Sequence, residues 1–274
     1  MDIRAIRYNT PKGRKMITLI GHGYVGEHIS KELFNQKIPY HWIRHTDTIA
    51  RDTTVIINAA GYTGSPNVDA CEIYKQDTIA GNVVWPLTLE LNNPNIPIVH
   101  ISSGCVYTGY DKHFTEEDTP NFNFDNGSFY SGSKSLGQKL LEPFMHKSYL
   151  LRIRMPFGNT DHPKNFLTKM KKYSKLISYD NSLSYMPDVA SVAVAMATSK
   201  NIPTGIYNVC NPGFSNAKEI VDMMGISKEF FTEEEFRNAV VAERSNCILD
   251  TSKLERVFQI RSITEALKEA ISKI

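Results

Sequence analysis

The sequence has few cysteines, and they are not arranged in pairs. Cys71, Cys105, Cys210 and Cys247 show neither C-x-x-C spacing nor the regular spacing of a disulfide framework. We therefore expect free thiols and a cytoplasmic location. The eight histidines show no spacing typical of metal ligands, so no metal site is predicted.

Long apolar runs and a strong net charge are missing as well. No stretch approaches the roughly 18 apolar residues that suggest a membrane helix, and residues 1–15 lack the apolar segment of a signal peptide. The formal net charge is +2, which favours neither nucleic acid nor a membrane surface as a partner. Residues 1–15 are read as a basic N-terminal arm or as residues before a natural start at Met16, with an added edge strand as the alternative.

What is present suits an α/β protein: 274 residues, 41% of them hydrophobic and 22% charged. Segments of strand and helix character alternate, which predicts a Rossmann-type, doubly wound parallel sheet. The predicted strands are 16–20, 39–43, 54–58, 96–102, 149–155 and 205–210, and the predicted helices are 25–34, 82–92, 130–147, 164–175, 189–198, 230–241 and 263–274. We expect an NAD(P)-binding domain over 16–160 and a smaller C-terminal substrate-binding lobe over 161–274, with 179–212 returning to the first domain.

A glycine turn, Gly21-His22-Gly23-Tyr24-Val25-Gly26, follows the first strand and opens a helix. In a G-x-G-x-x-G turn, one glycine permits the bend, the next admits a pyrophosphate, and the last permits close packing of helix and strand. After the first strand of an alternating pattern, this turn predicts a dinucleotide site that includes Gly21, Gly23, Tyr24, Val25 and Gly26.

The second strand ends without the acidic residue that would bind a ribose 2′-hydroxyl. Arg44 stands there instead and can meet a 2′-phosphate. NADPH is therefore favoured as the cofactor, with NADH possible. The alternative for Arg44 is a solvated strand end.

Tyr130 and Lys134 lie four residues apart on one predicted helix, and therefore on one face of it. A phenol with a pKa near 10 is a poor acid–base catalyst at neutral pH, and a neighbouring ammonium is expected to lower that pKa. Ser103, at the end of the fourth strand, is placed to hold a carbonyl oxygen.

These residues resemble the extended short-chain dehydrogenase/reductases that act on nucleotide sugars. Asn58-Ala59-Ala60-Gly61 after the third strand and Asn82 in the next helix fit the same pattern. The resemblance implies that Ser103, Tyr130 and Lys134 are catalytic. It also implies that Asn58, Ala59, Ala60, Tyr130 and Lys134 contact the cofactor and that Asn82 binds substrate. The glycine turn is one residue shorter than the usual G-x-x-G-x-x-G.

A narrower resemblance is carried by several separate stretches. They are NAAGYTGSPNVDACE (58–72), Gly104-Cys105, residues 120–134, LRIRMP (151–156), PKNFLTK (163–169), Asn211-Pro212-Gly213 and RSNCILDTSKL (244–254). Together they look like the nucleotide-rhamnose synthases of plants and giant viruses, which are bifunctional 3,5-epimerase/4-reductases. Ser65 stands where that family is expected to carry an arginine.

The narrower resemblance implies a role for Cys105 and Lys169 as the epimerisation pair. The C4 ketone acidifies the protons at C3 and C5, and inversion needs acid–base groups on both faces of the sugar ring. Since residues i and i+2 of a strand share a side, Ser103 and Cys105 are expected to face one pocket. The alternatives are a buried structural thiol for Cys105 and a solvated helix lysine for Lys169.

Asn165 and Arg244 are predicted to bind substrate. Asn165 lies at the start of the helix that carries Lys169, and Arg244 can clamp a diphosphate. A surface salt bridge is the alternative for Arg244. The expected function is 3,5-epimerisation and NADPH-dependent 4-reduction of UDP-4-keto-6-deoxy-glucose to UDP-L-rhamnose, by a homodimer. The rival hypotheses are a 4-reductase without epimerase activity and a non-catalytic NADP-binding regulatory subunit.

Overall fold

Six parallel strands form the central sheet of the computed structural model, which describes residues 16–274. The strands are β1 (Met16–Ile20), β2 (Tyr40–Ile43), β3 (Thr53–Asn58), β4 (Ile98–Ser103), β6 (Tyr149–Ile153) and β8 (Gly205–Asn208). Their spatial order is β2-β1-β3-β4-β6-β8. β1 and β6 are buried along their whole length, which is typical of a parallel sheet covered on both faces. The predicted Rossmann-type sheet is confirmed.

Helices cover both faces of this sheet. On one face, α1 (Tyr24–Asn35) packs against α7 (Met186–Thr198), and their apolar side chains join those of the strands in the largest core. On the other face, α5 (Phe129–Leu141) packs on a continuous helical run. That run consists of α2 (Ala70–Ile73), α3 (Lys75–Ile79), a π-helical turn (Ala80–Val84) and α4 (Trp85–Asn92). α7 and β8 lie within residues 179–212.

The C-terminal lobe has a second, smaller core. Its helices are α6 (Phe166–Lys172), α8 (Ala217–Met223), α9 (Glu233–Ala239) and α11 (Ile263–Lys273), and its two-residue strands are β7 (Lys175–Leu176) and β9 (Glu229–Phe230). Apolar side chains of α6, α8 and α11 pack together there. A further parallel pair, β5 (Gly109–Phe114) with β10 (Cys247–Leu249), and the short α10 (Ser252–Glu255) link the lobe to the sheet.

Several boundaries differ from the sequence-based expectations. The helix predicted over 130–147 ends at Leu141, and a 3₁₀ turn (Glu142–Phe144) follows because Pro143 cannot donate a backbone hydrogen bond. The helix predicted over 230–241 begins at Glu233, where Thr232 forms a capping box with Glu235. β5 and β10 were not predicted. The basic arm over 1–15 lies outside the described residues.

All six strands of the sheet are parallel, so their carboxyl ends meet at one edge. The glycine turn follows β1, the Asn58-Ala59-Ala60 turn follows β3, and Ser103 ends β4. This edge is where α/β proteins of this topology bind ligands. No helix within residues 16–274 is both long and apolar enough to span a membrane.

Candidate active site

The three glycines of the turn after β1 each meet a different environment. Gly21 has φ +110°, and a Cβ there would lie 2.8 Å from the amide nitrogen of Ala60. A Cβ on Gly26 would lie 2.1 Å from the carbonyl oxygen of Gly21, whereas one on Gly23 would meet no atom within 4 Å. Gly23 is also the N-cap of α1 and supplies no capping side chain. The turn therefore leaves open space at Gly23 beside free helix N–H groups, which fits a dinucleotide diphosphate.

Tyr24 and Val25 contribute to this turn mainly through their backbone. The Tyr24 ring is 5% exposed and stacks on His162, with ring centroids 4.6 Å apart. Val25 packs against the main core. Contact with a cofactor diphosphate is thus left to the backbone N–H groups at the start of α1.

Arg44 and the segment after β3 differ in how firmly they are held. Arg44 is exposed directly after β2, and its amide N–H donates to Asp47 over 2.7 Å. Asn58 is buried, and its side-chain oxygen accepts hydrogen bonds from the Ala60 amide and the Trp85 indole, both at 3.2 Å. Asn58 therefore shapes the Ala59–Ala60 backbone that faces Gly21, and Arg44 is left as an exposed cation at the end of β2.

Ser103, Tyr130 and Lys134, which we call the reductase group, are brought together in the structure. Ser103 is the last residue of β4, and Tyr130 and Lys134 lie one turn apart near the start of α5. The N-cap of α5, Ser128, accepts a hydrogen bond from the Ser131 amide, which fixes where the helix begins. The three side chains are 5%, 8% and 9% exposed, and the Lys134 ammonium lies 5.9 Å from the centre of the Tyr130 ring.

The pKa values in this group differ from the expectation. Burial raises the pKa of Tyr130, the neighbouring Cys105 adds to the rise, and a hydrogen bond with Ser103 opposes it. Burial also lowers the pKa of Lys134 to about 8. The expected lowering of the Tyr130 pKa by Lys134 is not among these effects, and burial is the largest of them. A raised pKa keeps the phenol protonated, and that is the form that donates a proton in a reduction.

Cys105 lies beside the reductase group, as expected, but it is not part of the strand that was expected to place it there. β4 ends at Ser103, and Cys105 is in the turn that follows. The turn brings the Cys105 amide to donate to the Ser103 hydroxyl over 3.1 Å. All four cysteines are free, and Cys105 is half-buried while the other three are buried. Its thiol is therefore the accessible one.

Arg154, which sequence reasoning left without a role, lies under Cys105. Its guanidinium Nη1 is 3.6 Å from the Cys105 Sγ and donates to the Ser245 hydroxyl over 2.7 Å. The available signal was an arginine directly after a buried strand, in the run Leu150-Leu151-Arg152-Ile153-Arg154. A charge at such a position needs a buried partner.

Lys169 lies in a second group, with Lys164 and Arg244, which we call the cationic group. Burial lowers the pKa of Lys169, and the charges of Lys164 and Arg244 lower it further. Arg244 forms a 2.8 Å ion pair with Asp69, a partner that sequence reasoning missed. Clustered cations in a half-buried position suit a diphosphate. The alternative reading of Arg244, a salt bridge, is also present in the structure.

The two predicted asparagines have their side-chain amides engaged within the protein. Asn82 accepts from the Tyr62 amide over 3.0 Å and donates to the Tyr62 carbonyl and the Ser133 hydroxyl. Asn165, fully buried, caps α6 and donates to the Gly158 and Thr160 carbonyls. The side-chain nitrogen of each asparagine thus makes two hydrogen bonds within the protein, and both residues hold loops of the site in place.

The fold and the reductase group define a Rossmann-type oxidoreductase. Residues 41–274 match the RmlD substrate binding domain family, and the chain belongs to that family. The prediction that the chain is an oxidoreductase enzyme is confirmed.

Curated relatives share about a third of their residues with this chain. One is a bifunctional dTDP-4-dehydrorhamnose 3,5-epimerase/dTDP-4-dehydrorhamnose reductase of Arabidopsis thaliana, 38% identical over 77% of this chain and 74% of its own length. Another, from the same plant, is a trifunctional UDP-glucose 4,6-dehydratase/UDP-4-keto-6-deoxy-D-glucose 3,5-epimerase/UDP-4-keto-L-rhamnose-reductase. It is 35% identical over 89% of this chain, which spans only 40% of that relative's length.

Solved structures agree with the fold. The L780 UDP-rhamnose synthase of Acanthamoeba polyphaga mimivirus superimposes with a TM-score of 0.87 at 26% identity, covering 96% of this chain and 100% of that one. A dTDP-4-dehydrorhamnose reductase of Bacillus anthracis, solved with NADP, superimposes with a TM-score of 0.78 at 19% identity, over 95% of this chain and 100% of that one. The expected nicotinamide cofactor agrees with these neighbours at the level of the family.

Proposed function

We propose that this chain is a bifunctional 3,5-epimerase/4-reductase that converts UDP-4-keto-6-deoxy-glucose to UDP-L-rhamnose with NADPH. The observation that carries the proposal is the position of an accessible thiol, Cys105, directly beside a complete reductase group. A 4-reductase needs only the reductase group. An added acid–base residue at the same pocket supports a second, proton-transferring activity.

The proposed epimerisation uses the ketone at C4 of the sugar. The Ser103 hydroxyl and the Tyr130 phenol donate hydrogen bonds to the C4 oxygen and stabilise the negative charge that develops there. Cys105 and Lys169 remove and return protons at C3 and C5. The lowered pKa of Lys169 leaves a larger fraction of neutral amine at physiological pH than an exposed lysine has, so it can accept a proton.

The proposed reduction uses the reductase group. A bound NADPH supplies the hydride that reduces C4. Tyr130 donates its phenolic proton to the C4 oxygen, and Lys134, four residues along the same helix face, stabilises the phenolate that remains. The open space at Gly23 and the free N–H groups of α1 support diphosphate binding. The exposed Arg44, with no acidic residue in its place, supports NADPH over NADH.

Two relatives support the substrate class. The L780 protein is named a UDP-rhamnose synthase, and the plant bifunctional relative is named for dTDP-linked sugars. We choose UDP as the nucleotide because the narrower sequence resemblance lies with the UDP-rhamnose enzymes. Lys164 and Arg244, the other two members of the cationic group, are proposed to bind the diphosphate, which both substrates share.

A homodimer through α4 and α5 is also proposed. Leu91 on α4 and Leu136 on α5 expose 61% and 37% of their surface, and Val84, at the end of the π-helical turn before α4, exposes 53%. Exposed apolar side chains on neighbouring helices suit contact with a second copy. Sedimentation equilibrium of the purified chain measures this, and a monomer at micromolar concentration would contradict it.

The deciding experiment is incubation with UDP-4-keto-6-deoxy-glucose and NADPH, with the product sugar identified by NMR. UDP-L-rhamnose supports the full proposal. A 4-reduced sugar with unchanged C3 and C5 would instead support a reductase without epimerase activity. If NADPH is not oxidised with any 4-keto sugar, the non-catalytic regulatory hypothesis is favoured.

A Cys105→Ser variant tests which residue performs the epimerisation. Serine keeps the shape but hardly ionises at neutral pH, so we expect deuterium uptake from heavy water at C3 or C5 to fall by about 100-fold or more. Hydride transfer to an already epimerised keto-sugar should be largely retained. Exchange at both carbons at the parent rate would show that the thiol is only packing.

A further inference from the structure

Arg154 carries a buried charge without a carboxylate partner. Its side chain is 1% exposed, and no ion pair with an aspartate or glutamate forms at Arg154 within residues 16–274. Its Nε atom has no hydrogen-bond partner in the same part of the chain. A guanidinium remains charged in proteins, and an isolated buried charge is costly. The fold therefore maintains a cation here that lacks an anion.

The guanidinium is held in one orientation by neutral groups. Nη2 donates to the Ser245 carbonyl over 2.6 Å and to the side-chain oxygen of Asn181. Nη1 donates to the Ser245 hydroxyl over 2.7 Å, and that hydroxyl donates in turn to the Tyr107 carbonyl. With these contacts made, Nη1 also points at the Cys105 Sγ, 3.6 Å away. The planar guanidinium is thus aimed at the thiol rather than at solvent.

The other titratable groups around Arg154 are held in their neutral forms, and Cys105 is the thiol that its guanidinium contacts. The groups that face Arg154 are Cys247, Cys105, Cys210 and Tyr110, and those that face Cys105 from α5 are Tyr130 and Lys134. Burial raises the pKa of Cys210 to about 12 and raises that of Cys247. Both therefore remain thiols at neutral pH. Burial also raises the pKa of Tyr110 to about 12, although Arg154 opposes the rise.

We propose that Arg154 is a positioning residue that holds Cys105 as a thiolate and aims that thiolate into the pocket, which makes Cys105 competent as the epimerisation base. This inference rests on the proposed epimerase function. Arg154 is too buried to touch the sugar, so it acts through Cys105. The thiolate accepts a proton from one face of C3 or C5, the electrons of that C–H bond pass to the enolate, and Cys105 becomes a neutral thiol. Inversion is completed when a protonated Lys169 delivers a proton to the opposite face of that carbon.

The test is the rate of Cys105 alkylation by iodoacetamide from about pH 5 to about pH 10, since only the thiolate reacts. Mass spectrometry assigns the label to Cys105, and the Cys105→Ser variant gives the background from the buried cysteines. An opposite charge at this distance favours the ionised form by about 1–3 pH units. We therefore expect Arg154→Met to raise the midpoint of the Cys105 alkylation profile by at least about one pH unit and to slow alkylation at neutral pH by about tenfold.

Two further variants keep the test decisive if Arg154→Met does not fold. Arg154→Lys retains the charge and should keep alkylation near the parent midpoint, which a purely structural role for the guanidinium does not predict. Ser245→Ala removes one anchor of Nη1 and should give a smaller upward shift. A melting curve and an NADPH titration establish that each variant is folded.

The alkylation profile tests the role of Arg154, and the isotope exchange tests the epimerase function, so the two can fail independently. An unchanged pH profile of Cys105 alkylation in folded Arg154→Met overturns the role of Arg154. If that variant does not fold, the role is overturned by an unchanged profile in Ser245→Ala together with a displaced alkylation midpoint in Arg154→Lys. A low midpoint that depends on Arg154, in a protein that exchanges no deuterium at C3 or C5, keeps the Arg154–Cys105 pair and contradicts the epimerase function instead.

Discussion

The reductase group and the proposed epimerisation pair, Cys105 and Lys169, are built in different ways, although Cys105 follows Ser103 by only two residues. Tyr130 and Lys134 lie on α5, a helix of 13 residues with a capped start, and Ser103 ends a central strand. Cys105 lies in a turn, and Lys169 lies on α6, a helix of seven residues. The reductase group is thus held by long regular elements, and the epimerisation pair is held by side-chain contacts.

The contacts around Cys105 span long distances along the chain. Arg154 is 49 residues from Cys105 and 91 from Ser245. Arg244, next to Ser245, reaches Asp69 in the loop after β3. We therefore expect changes in the C-terminal lobe to affect the proposed epimerisation more than the reduction, because Ser103, Tyr130 and Lys134 lie on β4 and α5, outside that lobe.

The largest effect is expected from Tyr130→Phe, which removes the proton donor of the reductase group. General acid catalysis contributes about 100- to 10,000-fold, so the rate of keto-sugar reduction should fall by that order. Loss of NADPH absorbance measures the rate, and NADPH affinity should persist. Tyr173→Phe, at an exposed tyrosine of the lobe, is the matched control. Reduction near the parent rate in Tyr130→Phe would contradict the assignment.

Lys169→Met tests the other side of the comparison. The half-buried amine is proposed to serve one face of the sugar ring, so deuterium exchange at C3 or C5 should fall by about 100-fold while reduction of an epimerised keto-sugar changes less. NMR of the recovered sugar measures each carbon. Lys172→Met changes an exposed lysine of the same helix and should leave exchange intact. Equal losses in the two variants would point to damage to α6 and not to lost catalysis.

Arg44→Ala is expected to have the smallest effect. A charge-assisted contact to the 2′-phosphate contributes about 1.5 kcal/mol, so NADPH affinity should fall by about tenfold with NADH affinity unchanged. Titration of nicotinamide fluorescence measures both affinities. Arg51→Ala, at another exposed arginine near β3, is the control. Equal affinities for NADPH and NADH in the parent protein would remove the basis for this role of Arg44.

The sheet and its order of elements were predictable because buried parallel strands are continuous apolar runs. The end of α5 at Leu141 was not recognised, although Pro143 signals it. β5 and β10 were missed for a different reason, because they pair across a long distance along the chain, with Cys247 beside Gly109. β10 has only three residues, which carry too little periodicity to indicate a strand. Tyr24 was predicted as a cofactor contact from its position, and only packing against His162 shows where its ring lies.

The sequence by itself determined the reductase group, since the period of a helix places Tyr130 and Lys134 on one face wherever α5 packs. It also determined the glycine turn, because only glycine accommodates the close approach of Gly26 to the Gly21 carbonyl. Tertiary structure alone decided the direction of the Tyr130 pKa shift, because desolvation depends on every element around a group. It alone decided the pairing of Arg154 with Cys105. Whether a buried arginine lacks a carboxylate partner within residues 16–274 depends on which distant residues pack around it. No local pattern in the sequence shows this.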